Sequence, residues 1–268
     1  MIDAGKHNVV GVQVHAVDYE SAVEKIIGAA KRSEPMSIAA VSVHGVMMSV
    51  MDSTHRYRLN QLDLVVPDGQ PVRWALNFIH KARLKERVYG PQMMYETIRR
   101  ASEEGLPIFL FGGYQSMLED LQRELLKRLP DLKIAGLKPA RYERISVEEQ
   151  AELVKEIKDS GAKLVFVGLG CPKQEVFVYE MREALSMPAL AVCAALNFHA
   201  GHLPQAPRAM QKWGLEWAFR LSKEPKRLWR RYLLVNPLYL GLFALQATRL
   251  YTIQPASAQA PQQELRYG

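Results

Sequence analysis

The stretch from Gly168 to Lys173 has the residue types of an anion-binding turn. An apolar run ends at Gly168, and Gly170, Pro172 and Lys173 follow within five positions. Glycines allow close backbone approach, proline suits the first helical position, and the free N–H groups of a helix N-terminus carry the positive end of its dipole. The pattern predicts a phosphate-binding turn that uses Gly168, Gly170 and Lys173.

Asp68 is the candidate general base, because it lies between an apolar run and Gly69 at a predicted strand end. A carboxylate that faces bound phosphate can take a proton from an acceptor hydroxyl. The alternative is an ordinary Asp-Gly turn, in which Asp needs only local hydrogen bonds. His44 and Arg87 have structural alternatives as well: a lone His near a strand end is commonly a satisfied structural residue, and Arg87 could be a solvated helix-end charge.

The elements that must position these residues alternate between short apolar runs and amphipathic runs, which is typical of βαβ units. Predicted strands cover Val9 to Val14, Ile38 to Val43, Leu62 to Val66, Ile108 to Phe111, Lys133 to Leu137, Leu164 to Val167 and Ala189 to Ala195. Predicted helices cover Tyr19 to Arg32, Gln92 to Glu104, Ser116 to Leu129, Val147 to Lys158 and Gln174 to Leu185. The pattern predicts an α/β fold with a Rossmann-like, mostly parallel sheet flanked by helices.

Ligands of such sheets lie beyond the carboxyl ends of the strands, so the loops there are the candidate binding segments. They contain Ser42 and His44, Asp68 and Gly69, Gly112 and Gly113, and the turn from Gly168 to Gln174. The chain has no Asp-x-Asp, no Walker sequence and no closely spaced His/Cys set, so no metal or other cofactor is expected. Lys173 stands where a dinucleotide fingerprint needs its third glycine, which argues against a dehydrogenase.

The formal net charge of +7 comes from one segment. Residues 204–251 hold nine basic and two acidic side chains, and three of the four tryptophans lie among them. Cations mixed with interfacial aromatics suit an anionic membrane surface, whereas the apolar run in this segment is shorter than the roughly 20 residues that span a bilayer. The alternative is that these helices pack on the core with a solvated basic face. Nucleic acid is not expected as a partner, because no binding motif accompanies the charge.

Three parts of the chain are therefore predicted. They are an α/β domain (1–203) that contains the candidate anion-binding loops, a basic and aromatic helical appendage that docks on the membrane (204–251), and a disordered tail (252–268) rich in Pro, Ala and Gln. The N-terminal residues lack a basic-then-apolar signal pattern, which favours the cytoplasm.

The motifs together resemble the WecG/TagA/CpsF glycosyltransferases (glycosyltransferase family 26) from about Val9 to Leu234. The carriers are Val66-Pro67-Asp68-Gly69, Arg87-Val88-Tyr89-Gly90, Phe111-Gly112-Gly113, the block from Gly168 to Glu175, Glu216-Trp217-Ala218-Phe219-Arg220-Leu221 and Glu224-Pro225-Lys226-Arg227.

The resemblance implies a metal-independent, inverting transferase that moves a sugar from a UDP-sugar to a polyprenyl-diphosphate-linked saccharide, peripherally at the cytoplasmic membrane face. Asp68 falls on the family's proposed base, Gln174 on an active-site glutamine, and Arg87 on an arginine of the same pocket. The appendage arginines that would meet the diphosphate are Arg220, Arg227 and Arg230. Self-association is left open.

The chain also departs from the family's pattern. It has Ser42-Val43-His44 for Thr-x-Asn, Gln92 and Asn197 for two aspartates, and Phe177 for a tryptophan. Because His44 replaces an amide side chain in the expected pocket, the identity of the donor sugar is left open, and both hexoses and N-acetylhexosamines are candidates. The substitutions also motivate an alternative: a catalytically silent protein that binds a nucleotide sugar or lipid diphosphate and acts as a membrane-docked partner in polysaccharide assembly.

Overall fold

The structure is a computed structural model. It describes the backbone of residues 1–268 and every side chain except those of Arg208, Lys212, Arg227, Arg230 and Arg231.

A six-stranded, fully parallel sheet forms the centre of the fold, as the alternation predicts. Its strands are β3 (Met36–Val41), β4 (Leu64–Pro67), β5 (Ile108–Gly112), β6 (Ile134–Lys138), β7 (Leu164–Gly168) and β8 (Pro188–Ala191), in the spatial order β4-β3-β8-β7-β5-β6. The central strands β5, β7 and β8 are buried along their whole length, because helices cover both faces of the sheet.

The first expected strand, Val9 to Val14, is wrong in its extent, and it does not belong to the parallel sheet. The chain instead forms an antiparallel hairpin of β1 (Asp3–Val9) and β2 (Val12–Val17), separate from the main sheet. Val10 and Gly11 both have positive φ, as a tight two-residue hairpin turn requires. The hairpin covers the edge of β4: the Val65 N–H donates to His15 Nδ1 at 3.0 Å. Burial lowers the pKa of His15 to about 4, which keeps that nitrogen an acceptor.

The five predicted helices are all present, with ends shifted by at most two residues. They are α1 (Tyr19–Arg32), α5 (Gly90–Glu103), α6 (Gln115–Arg128), α7 (Val147–Asp159) and α8 (Lys173–Leu185). The Ser146–Glu149 capping box of α7 forms as the sequence predicts. The prediction missed α2 (Val43–Met51) and α3 (Ser53–Gln61), which follow β3 in succession, and α4 (Gln70–His80), which follows β4.

Beyond β8 the chain is helical, with α9 (Ala195–His199), α10 (Arg208–Lys212), α11 (Glu216–Lys223), α12 (Pro225–Arg230), a π-helical turn (Arg231–Val235) and α13 (Asn236–Ala247). Among the described residues, no helix combines the length and the apolar character needed to cross a membrane. The division of the chain at residue 203 stays a prediction.

The segment 252–268 lies along the α/β unit, whereas its composition predicts disorder. The backbone N–H groups of Leu265 and Arg266 donate to the two carboxylate oxygens of Glu180, at 2.9 and 3.1 Å. The Gly268 carbonyl accepts from the N–H groups of Arg141 and Tyr142. Tertiary partners of this kind leave no trace in the tail's own composition.

Candidate active site

Asp68 lies at the carboxyl end of β4, at the edge of the sheet. Its backbone N–H donates to the Val41 carbonyl at 3.0 Å, and its Oδ1 accepts from the Gly90 N–H at 2.7 Å. Burial raises the pKa of Asp68 above its ordinary value, while the guanidinium of Arg87 and the Gly90 hydrogen bond act in the opposite direction. A carboxyl with a raised pKa is a stronger base than a solvated one, which suits proton transfer.

Arg87 lies beside Asp68 and forms an ion pair with Glu216. Arg87 Nη2 donates to Glu216 Oε2 at 2.5 Å, and the Tyr89 hydroxyl donates to Glu216 Oε1 at 3.1 Å. The guanidinium also stacks over the Tyr89 ring, 4.3 Å from its centroid. We call Asp68, Arg87, Tyr89 and Glu216 the Asp68 cluster. Because Glu216 belongs to α11, the cluster joins the α/β unit to the C-terminal helices.

Arg220, one turn after Glu216 on α11, also acts on the Asp68 cluster. Its charge lowers the pKa of Asp68, and its guanidinium lies 5.8 Å from the centroid of the Phe198 ring. The sequence-predicted Arg220 is therefore within electrostatic reach of the candidate base. The predictions for Arg227 and Arg230 lie outside the residues whose side chains the structure describes.

Gly112, Gly113, Gly168 and Gly170 form a second region, which we call the glycine crevice. After β5 the chain continues to β6 on one side, and after β7 to β8 on the other, so the two connections leave in opposite directions. Such a switch point opens a cleft for a ligand. Gly112 has a φ of +129°, and a Cβ there would lie 2.6 Å from the Gly168 carbonyl oxygen. Gly170 has a φ of +77° and open space around its missing side chain.

Gln174 supports the glycine crevice from inside the protein. Its side chain is fully buried; its Oε1 accepts from the Cys193 N–H at 2.8 Å, and its Nε2 lies 2.8 Å from Cys193 Sγ and 3.0 Å from Glu175 Oε1. The amide thus ties the start of α8 to the loop after β8. Burial raises the pKa of the neighbouring Glu175. In this arrangement Gln174 and Asp68 are not brought into contact.

Lys173 lies at the start of α8, next to Gln174. Its Nζ donates to the Tyr142 carbonyl and lies 5.4 Å from the centroid of the Tyr267 ring. The hydroxyl of Tyr142 also accepts a hydrogen bond from the Gly113 N–H at 2.9 Å. Tyr142 therefore contacts both Lys173 and Gly113, two residues that the sequence predicts to bind phosphate.

Ser42 and His44 lie between the two regions, because β3 and β8 separate β4 from β7. Ser42 is the N-cap residue of α2, and a Cβ on Gly69 would lie 3.4 Å from the Ser42 Cα. The loops after β3 and β4 are thus in contact. Three strand spacings separate the β4 end from the β7 end, which is about 14 Å, a span that one extended ligand could bridge.

A groove of about 1680 Å³ runs between α1, α5 and residues 205–211, and reaches the Asp68 cluster at Arg87 and Tyr89. Most of its lining residues are of charged or polar types, and one of them, Gln92, donates to Glu96 at 2.7 Å. Phe177, by contrast, is buried against Phe111, with ring centroids 5.1 Å apart. Of these two departures from the family's pattern, one lines the groove and the other belongs to the core.

The sequence prediction gave no role to three residues that the structure places at the site: Tyr89, Glu216 and Cys193. Glu216 had a usable signal, since it is one of only two acidic residues in the strongly basic segment 204–251. Cys193 gave none, because its role depends on a backbone contact with Gln174.

Comparison with protein families decides the relationship. The model of the glycosyl transferase WecG/TagA/CpsF family matches residues 7–252. The chain belongs to this glycosyltransferase family. Membership supports sugar transfer in the synthesis of a cell-surface polymer.

Proposed function

We propose that this protein transfers a hexose or N-acetylhexosamine from a UDP-sugar to a polyprenyl-diphosphate-linked saccharide, with inversion at the anomeric carbon, at the cytoplasmic face of the membrane. The observation that carries the proposal is the Asp68 cluster. It sets a carboxyl with a raised pKa beside Arg87 and within electrostatic reach of Arg220, in a chain of this glycosyltransferase family.

In the proposed reaction, Asp68 takes the proton of the acceptor hydroxyl as that oxygen attacks the anomeric carbon. The bond from this carbon to the UDP oxygen breaks on the opposite face, and UDP leaves with the electron pair. Arg220, with Arg227 and Arg230, would meet the charge of a diphosphate through charge-assisted hydrogen bonds. The glycine crevice is our assignment for the UDP moiety, and the groove that reaches Arg87 is our assignment for the acceptor saccharide.

The experiment is turnover of purified protein in lipid nanodiscs with a panel of UDP-sugars and a lipid-diphosphate acceptor. Asp68→Asn removes the base and keeps the shape, so turnover should fall by about 10²-fold or more while UDP binding is retained. Asp159→Asn, at an exposed end of α7, is the matched control and should keep wild-type turnover. Normal turnover of Asp68→Asn would refute the assignment of the base. Chelator should leave turnover unchanged, since no metal is part of the proposal.

A second candidate is a silent binding partner in polysaccharide assembly. It is favoured by Gln174 and Lys173, whose polar groups contact Cys193, Glu175 and Tyr142. The same assay separates the two candidates: measurable UDP binding without transfer from any donor would favour the silent protein, and sustained transfer would eliminate it.

A further inference from the structure

The aromatic and basic character of the C-terminal helices continues onto α4, which belongs to the α/β unit. Trp74 and Phe78 lie one turn apart on α4, and 44% and 71% of their surfaces are exposed. The loop that follows exposes Lys81, Arg83 and Lys85. Over residues 70–87 the chain has five basic residues and one acidic residue, although the sequence outside 204–251 is balanced overall.

The basic loop is fixed against α4 by hydrogen bonds. Arg73 Nη1 donates to the Leu84 carbonyl at 3.1 Å, and Asn77 exchanges two hydrogen bonds with the Leu84 backbone at 2.8 and 2.9 Å. Residues 73 and 77 form one stripe of the helix, and 74 and 78 form the adjacent stripe. The exposed aromatics and the basic loop are therefore neighbours on a rigid support.

The same aromatic stripe borders the C-terminal helices on both sides. The rings of Phe78 and Phe243 are 6.0 Å apart, and the Tyr239 hydroxyl donates to the Pro71 carbonyl at 3.0 Å. A Cβ on Gly214 would lie 3.3 Å from the Trp74 ring. Next to these contacts, Trp213 and Leu240 are 74% and 52% exposed. Exposed apolar side chains from the C-terminal helices and from the segment before α11 thus belong to residues next in the chain to those that contact α4.

We infer that Trp74, Phe78, Lys81, Arg83 and Lys85, together called the α4 face, dock on an anionic lipid bilayer. The inference rests on the membrane location in the proposed function and assigns part of the contact to the α/β unit. Interfacial aromatics flanked by cations match a bilayer with anionic headgroups. A second copy of the chain fits less well, because it would bring two sets of basic residues together. Because Arg73 and Lys85 also line the groove at Arg87, docking here would hold the groove's mouth at the lipid surface.

The test uses the full-length protein and flotation with two kinds of vesicles, one of phosphatidylcholine with phosphatidylglycerol and one of phosphatidylcholine alone. Phe78→Ser should weaken binding to the anionic vesicles about tenfold, because it removes one inserted ring. The double variant Lys81→Gln/Arg83→Gln should also weaken it about tenfold, and only on the anionic vesicles. Val147→Ser is the matched control: Val147 is half exposed on α7, which follows the opposite edge strand of the sheet.

Wild-type binding by Phe78→Ser or by the double variant would overturn the inference, and so would equal losses in Val147→Ser. Sedimentation without lipid gives a further decisive outcome: a wild-type dimer that becomes monomeric in Phe78→Ser would make the α4 face a self-association surface. Transfer to a detergent-solubilised acceptor is measured in parallel. It tests the proposed chemistry without vesicles, so the reaction and the α4 face can fail independently.

Discussion

The Asp68 cluster and the glycine crevice lie at the same end of the sheet and differ in how they are held. The Asp68 cluster consists of charged side chains from two distant parts of the chain, joined by the Arg87–Glu216 ion pair. The glycine crevice consists of backbone from adjacent strands, braced by Gln174 within the α/β unit. The Asp68 cluster therefore depends on charge compensation, and the glycine crevice depends on the absence of side chains.

This difference predicts which substitutions each region tolerates. At Gly112 in the glycine crevice, a single methyl group meets the backbone of Gly168, which cannot move independently of β7. In the Asp68 cluster, a substitution can change the charge of a side chain and keep its shape. Such substitutions should change the pH dependence of transfer and weaken the packing of the C-terminal helices on the α/β unit.

The largest effect is expected from Gly112→Ala. The new Cβ would lie 2.6 Å from the Gly168 carbonyl oxygen at a φ of +129°. Overpacking and backbone strain together should reduce the free energy of unfolding by about 3 kcal/mol and abolish UDP binding. Urea unfolding and a UDP titration measure the two effects. Gly161→Ala is the control, because its φ is also positive but its surroundings are open; it should lose about 1 kcal/mol. If both variants lost the same free energy of unfolding, the contact with Gly168 would not contribute to the effect of Gly112→Ala.

The next effect concerns the ion pair of the Asp68 cluster. Arg87→Gln and Glu216→Gln should each destabilise the protein, because each leaves a largely buried charge without its partner. The double variant should lose less than the sum, with a coupling energy of about 2 kcal/mol. Urea unfolding followed by tryptophan fluorescence is suitable, since three of the four tryptophans lie in 204–251. The exposed pair Arg123–Asp120 should couple by only about 0.5 kcal/mol. If the coupling energy of Arg87–Glu216 were no larger than that of Arg123–Asp120, the ion pair would not join the α/β unit to the C-terminal helices.

The pH profile of transfer should sharpen the comparison further. Asp68 must be ionised to accept a proton, so kcat/KM should fall as the pH decreases through its raised pKa. Arg87 lowers that pKa and Glu216 raises it, so the acid limb should move to higher pH in Arg87→Gln and to lower pH in Glu216→Gln. Initial rates between pH 4 and pH 9 would measure the shift. A limb that moves in the same direction in both variants would contradict electrostatic control by these residues.

The smallest effect is expected at Glu175, beside the crevice. Burial raises the pKa of Glu175, so its favourable contribution is present at low pH and is lost as the pH increases through the folded-state value. Glu175→Gln should therefore be more stable than wild type at pH 8, with the difference shrinking toward pH 4. Thermal unfolding across this range is the measurement, with the exposed Glu152→Gln as the control. A constant difference across the range would exclude titration of Glu175 as its cause.

The helices with strong local signals could be predicted from the sequence. The bounds of α1 agree with the prediction, and α7 begins at its capping box, because both signals depend on neighbours in the chain. The helix α2 was missed because it begins directly after β3. There, the apolar run continues through Ser42 with no turn signal to separate strand from helix.

The sequence by itself determined the alternation of strands and helices, the glycines at the strand ends, the Asp-Gly pair at 68–69 and the basic segment at 204–251. These features are local, since each is a matter of residue type and spacing. Only the tertiary structure decided that Glu216 pairs with Arg87, that Gln174 faces Cys193, that residues 3–17 form a separate hairpin and that the tail binds Glu180. Each of these contacts joins distant segments through hydrogen bonds or charge, and periodicity along the chain carries no information about such partners.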